Sequence, residues 1–169
     1  MTLTPFVAQN DEVDALWQVD ILWMMLATSE QTGGAYTLIE ELCPRGSGPP
    51  PHWHEQHELF YVIDGEVTFL TGEDDRRVAG PGSFVFIPSQ TVHSFRVDSE
   101  TCRLLNGYTP GGFEKVIYTL GVPARERTLP PKGIDRPIDL EVAGPLFAEI
   151  GMHGLLDAPD VLREELESS

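Results

Sequence analysis

His52, His54, Glu58 and His93 are the residues whose types and spacing could do chemistry in this chain. Side chains alternate along extended backbone, so two imidazoles flanking Trp53 point to one face. Glu58 adds a carboxylate a short step further on, and His93 a third imidazole after a second strand-and-turn block. Three neutral imidazoles and one carboxylate suit one divalent first-row transition ion. Iron, manganese, nickel, cobalt, copper and zinc all accept this set, and the donors do not choose among them. Four protein donors leave up to two open positions on a six-coordinate ion, as a catalytic or ligand-binding metal needs; a structural zinc is closed at four. Glu58 has two available jobs, as a ligand and as a general base on a substrate hydroxyl. His57 neighbours Glu58, so it should face the opposite way and lie on the surface. His153, in the C-terminal region, receives no role. Glu55 and Gln56 read as solvent-exposed turn residues.

Those donors must be carried by short strands. Residues 21–27 and 35–42 read as strands split by the turn-rich SEQTGG. The prolines of CPRGSGPPP forbid a central strand and favour an extended approach to His52. Residues 59–64 and 66–70 flank Asp64-Gly65, a strong hairpin signal. TGEDD is a further turn. Residues 83–87, ended by Pro88, then 93–97 and 101–108, complete the strands. This spacing predicts an all-β fold, an antiparallel jelly-roll barrel. Beyond Tyr108 the pattern becomes helical. Thr109-Pro110 reads as a helix start, with Phe113, Val116, Ile117 and Leu120 in helical phase and Gly121 as the stop. Residues 122–137 read as a Pro-rich linker. Leu140, Ala143, Leu146, Phe147 and Ile150 suggest a second helix with a weak point at Gly144-Pro145, and residues 160–166 a short terminal one. The expectation is one domain over 1–169, with its core barrel at about 19–108 and a short helical C-terminal extension at about 109–169.

The spacing of these residues resembles the cupin superfamily. Gly46, His52, His54, Glu58 and Gly65 fit its first motif: glycine, five residues, His-x-His, three or four residues, Glu, six residues, glycine. Gly82, Pro88 and His93 fit its second. Gln90 replaces the inner glycine of that motif, and Val97 its terminal asparagine. The TGGAYTLIEEL block, the PPPHWH approach and the GGFE ending look like the single-barrel cupins of the quercetin 2,3-dioxygenase-like group. The resemblance implies a jelly-roll barrel in which His52, His54, Glu58 and His93 hold the metal. It also implies that Glu58 takes the proton of a flavonol hydroxyl before the ring is oxidatively opened.

Phe60 and Val62 share the phase of Glu58; Phe86 and Phe95 are further candidates for a substrate-pocket wall. As a set beside a metal they imply a hydrophobic, aromatic ligand. No basic residue lies within the first motif after Arg45, which argues against a sugar phosphate. The formal net charge of −16 repels phosphate backbones and anionic membranes, so neither nucleic acid nor membrane is an expected partner. No secretory signal is visible and Cys43 and Cys102 show no metal or redox spacing, so a cytoplasmic location is expected. LWQVDILWMMLA is apolar on both parities, which points to a homodimer burying its second face. The resulting expectation is a metal-dependent dioxygenase acting on a small aromatic, flavonol-like or enolic compound. The alternatives are a non-catalytic small-molecule-binding or regulatory cupin and, third, a metal-dependent isomerase or lyase.

Overall fold

The computed structural model describes residues 2–71, 75–134 and 139–154. The short helix expected at 160–166 lies outside them, as do positions 72–74 of the TGEDD turn and 135–138 of the linker. The strands are β1 (Ala15–Gln18), β2 (Ile21–Ala27), β3 (Thr37–Pro44), β4 (Trp53–His54), β5 (His57–Asp64), β6 (Val67–Thr71), β7 (Asp75–Ala79), β8 (Phe84–Ile87), β9 (His93–Val97) and β10 (Thr101–Thr109). Helix α1 (Glu114–Leu120), β11 (Val122–Pro123), α2 (Leu140–Glu149) and β12 (Met152–His153) follow. One sheet runs β11-β1-β2-β3-β10-β5-β8, a second β7-β6-β9, and β12 pairs with β4. The pairings are antiparallel and the two larger sheets enclose an apolar core that includes Phe60, Phe69, Phe95 and Leu104. This is the all-β jelly-roll barrel with short C-terminal helices that the strand spacing predicts. No helix among the described residues is long and apolar enough to cross a membrane.

Several local expectations change. Asp64-Gly65 joins no hairpin. β5 pairs with β10 and β8, whereas β6 pairs with β7 and β9, so the dipeptide is a corner between sheets. Gly65 takes φ +86°, and a Cβ there would lie 2.4 Å from the Thr101 carbonyl oxygen. The corner therefore needs glycine both for its conformation and for close approach. Thr109-Pro110 does not start α1. Thr109 ends β10, the peptide bond is cis, and the helix begins at Glu114 with Phe113 as its cap. The exposed residues of β7 lack the apolar alternation that would have marked them as a strand. Helix α2 runs through Pro145, with Asp139 accepting from the Glu141 N–H at its start.

The two apolar faces of β1 and β2 are both covered within one chain. Leu16, Ile21, Trp23 and Met25 face the barrel core. Ala15, Trp17, Leu22 and Met24 face outward and pack with Val13, Leu42, Ala124 and Ile134. Trp17 Nε1–H donates to the Thr128 carbonyl at 2.7 Å, which pins the Pro-rich segment over this face. The burial that motivated a homodimer is therefore met inside the chain.

The turn from β10 into α1 is held by Glu114, buried at the start of the helix. Its carboxylate accepts from the Ser29 N–H at 2.7 Å, the Gly112 N–H at 3.1 Å, and the hydroxyls of Ser29 and Thr37. Burial alone would raise its pKa; the hydrogen bonds from Ser29 and Thr37 outweigh burial and lower it. A depressed carboxyl contributes stability above its unfolded pKa, and that stability is lost as pH falls through the folded value. Glu114→Ala leaves several buried donors unpaired. It should cost about 2–3 kcal/mol in urea unfolding at pH 7, with a smaller difference from wild type under acid conditions.

Candidate metal centre

Three elements and one irregular segment meet at the centre. His52 ends the proline-rich approach, His54 ends β4, Glu58 is the second residue of β5 and His93 opens β9. The backbone N–H and carbonyl of His52 exchange hydrogen bonds with those of His93 at 3.0 and 2.9 Å. This bridge joins the approach to the three-stranded sheet. Alternation along the strands then turns the side chains inward.

One donor atom from each of His52, His54, Glu58 and His93 lies within 4.8 Å of all the others. Donors about 2.1 Å from a shared ion sit roughly 3–4 Å apart, so the group fits one ion. His54, Glu58 and His93 are buried and His52 is half-buried. Each Nδ1 is tied to a backbone carbonyl: His52 to Pro50 at 3.0 Å, His54 to Gln56 at 3.0 Å and His93 to Thr91 at 2.8 Å. This fixes ring orientation and directs every Nε2 to the centre, the usual support for a metal-bound imidazole.

Glu58 Oε2 lies 3.1 Å from His54 Nε2 and 2.7 Å from His93 Nε2. Burial alone would raise the Glu58 pKa, but the hydrogen bonds from both imidazoles outweigh it and hold the group well below the carboxylate range. His93 has acceptors at both ring nitrogens. Burial pulls its pKa down, yet the bond to Glu58 overcomes burial and raises it. Loss of solvent around the His52 ring, with His93 beside it, lowers its pKa to about 4, so at neutral pH it is a neutral imidazole whose Nδ1–H donates to Pro50 and whose Nε2 is unprotonated.

His57 faces outward, as parity requires. Its Nδ1 accepts from the Ser89 N–H at 2.9 Å, and its ring lies 5.6 Å from Phe86. Phe86 is displaced from the expected wall. It stands opposite Leu59 and is 52% exposed, while Ile87, opposite Glu58, takes the inward place. Phe60, Val62 and Phe95 do point inward. Phe60 and Phe95 pack with Phe69, ring centroids 4.9–5.8 Å apart, and so fill the barrel beside the donors. Cavities of about 880 and 710 Å³ lie against the Pro-rich segment and the N-terminal segment, away from the histidines. Gln56 is buried; its side-chain amide donates to the Ile150 carbonyl at 2.9 Å while its backbone carbonyl orients His54. His153 stacks on Trp53 at 3.9 Å, where β12 lies along β4. Gln90 holds φ +61°, the left-handed conformation expected of the glycine it replaces. Sequence reasoning missed Glu41, Asn106 and Tyr108, which are buried polar residues of the barrel. The alternation of Ile39, Glu41 and Cys43 is the signal that could have found the first of them.

Residues 38–108 match the model of the cupin domain family. The chain carries a cupin domain. It is 33% identical over 127 residues to quercetin 2,3-dioxygenase of Bacillus subtilis (strain 168), which covers 75% of this chain and 37% of that protein. It is 29% identical over 117 residues to quercetin 2,3-dioxygenase of Aspergillus japonicus, covering 65% of this chain and 33% of that one. The chain thus spans about a third of the length of these curated relatives. KdgF from Halomonas sp. shares the fold, with a TM-score of 0.58 and 21% identity over 66% of this chain and 99% of that one.

Elemental analysis tests the centre directly. His52→Ala or His93→Ala should lose most of the metal bound by wild type, while His57→Ala should keep it. Metal retained by the His52→Ala/His54→Ala double variant would exclude this ligand set.

Proposed function

We propose that this cupin is a metal-dependent dioxygenase acting on a small aromatic, flavonol-like or related enolic compound. The observation that carries the proposal is the donor set itself: three inward Nε2 atoms and one buried carboxylate, each imidazole anchored through Nδ1. Similarity to two quercetin dioxygenases points that set toward oxygen chemistry. In this reading His52, His54 and His93 are ligands through Nε2, and Glu58 is both ligand and base. A bound first-row transition ion would supply positive charge and open positions beside an enolic oxygen.

The residues account for the rest. With their Nε2 lone pairs committed to an ion, His54 and His93 carry no proton there and cease to donate to Glu58. The carboxylate is then available to accept the proton of a substrate hydroxyl. Phe60 and Phe95 keep water out of the barrel on one side of the donors, and half-buried His52 marks the more open side. The single-domain organisation and cytoplasmic location belong to the same proposal. Cys43 and Cys102 stand opposite each other on β3 and β10, both buried.

Oxygen uptake by the metal-loaded protein, measured against flavonols and enediols, is the decisive experiment. Glu58→Gln keeps the size and an oxygen donor but removes the base. It should retain much of its metal and lose about 100-fold or more in uptake. The loss should shrink with substrates already ionised at higher pH. A fully active Glu58→Gln protein would leave Glu58 outside the chemistry. A ligand-induced rise in melting temperature without any uptake would make the chain a binding module.

A further inference from the structure

The barrel interior holds more polar chemistry than four donors use. Glu41, Asn106 and Tyr108 are 0%, 2% and 3% exposed. Asn106 Nδ2 donates to Glu41 Oε1 at 2.8 Å and to the Tyr108 hydroxyl oxygen at 3.1 Å. Both amide protons are used in this way, while the Tyr108 hydroxyl still has its own proton to give. The register sets Tyr108 directly opposite Glu58. Glu58 Oε2 already meets His54 and His93, which leaves Oε1 for a further donor. The Tyr108 ring is fixed by stacking on Phe113, with centroids 4.2 Å apart, and lies 5.7 Å from the ring of His54. In register, Glu41 stands between Trp23 and Leu104, so packing alone gives no reason for a carboxyl there. Buried polar groups in such surroundings cost stability unless they serve a network.

We propose that Glu41, Asn106 and Tyr108 form a positioning line that ends on Glu58, with the Tyr108 hydroxyl donating to the carboxylate and fixing which of its oxygens faces the metal. A tyrosine phenol in water titrates at about 10, so Tyr108 holds at pH 7 the proton it donates. Burial raises Glu41 to about 8, so the far end of the line is a neutral acid at pH 7. Outer hydrogen-bond partners of this kind orient metal ligands and tune their affinity.

This inference rests on the metal-centre reading, and cobalt binding separates the two. The variants are Tyr108→Phe, which keeps the stacked ring, and Glu41→Gln, which keeps the size. Ile39→Val is the control, because Ile39 is equally buried, faces Asn106 in register and lies outside the line. Each protein is titrated with Co²⁺ and followed by visible absorption and thermal melting. Tyr108→Phe should bind cobalt about tenfold more weakly, with shifted visible bands. Glu41→Gln should show the same change to a smaller extent. Ile39→Val should melt lower yet keep wild-type bands and affinity. Should Tyr108→Phe fail to fold, Glu41→Gln alone decides by the same bands. Unchanged bands in the folded line variants, beside a normal wild-type spectrum, overturn the inference alone. An equal shift in Ile39→Val overturns it too, since packing would then be the cause. A wild-type protein that binds no cobalt removes the metal centre and the inference together.

Discussion

The centre depends on two sheets being held at hydrogen-bond distance. Glu58 belongs to the seven-stranded sheet and His93 to the three-stranded one, and their side chains meet at 2.7 Å. Neither sheet could assemble the donor set alone. The backbone bridge between His52 and His93 brings the proline-rich approach alongside β9, and Gly48 permits it: a Cβ there would lie 1.9 Å from the Phe95 carbonyl oxygen. On the other side, β12 pairs with β4 and the Ile150 carbonyl receives the Gln56 amide. The segment bearing His52 and His54 is therefore clamped between the small sheet and the C-terminal elements. Positioning of this kind keeps donors in place before a ligand arrives.

The same geometry separates what the residues declare from what they do not. Period-two alternation placed His54 and Glu58 inward and His57 outward, because face selection in a strand is a local property. Phe86 had no such anchor. Its strand is four residues long and its phase is set by pairing with β5, which puts Ile87 rather than Phe86 opposite Glu58. Asp64-Gly65 shows a second limit. A dipeptide favouring positive φ announces a reversal, but whether the next strand pairs with the last or crosses to another sheet is decided by partners far along the chain, on β9 and β10. Thr109-Pro110 carries the marks of a helix start, yet the chain first has to leave β10, and Glu114 organises the actual start through Ser29 and Thr37. The double-sided apolar character of β1 and β2 was legible as burial; what covers the outer face was not, since residues 124–134 have no periodic pattern of their own.

Two glutamates inside one barrel are pushed in opposite directions, and this bears on what the centre can hold. Glu58 lies among the three imidazoles, where a bound cation would keep it ionised. Glu41 faces an amide and apolar neighbours, and burial raises it to about 8. A divalent ion held by three neutral imidazoles and one carboxylate keeps a net positive charge. That charge favours an anionic oxygen, such as the one left when an enolic hydroxyl loses its proton. A second ionised carboxylate in the barrel would cancel it at short range, in surroundings that screen charge poorly. Glu41, a neutral acid at pH 7, leaves that charge in place. Asn106, donating to Glu41 on one side and Tyr108 on the other, links it to Glu58 without adding charge. An acid, an amide and a phenol thus extend hydrogen bonding into the barrel and leave the charge of the centre for its ligand.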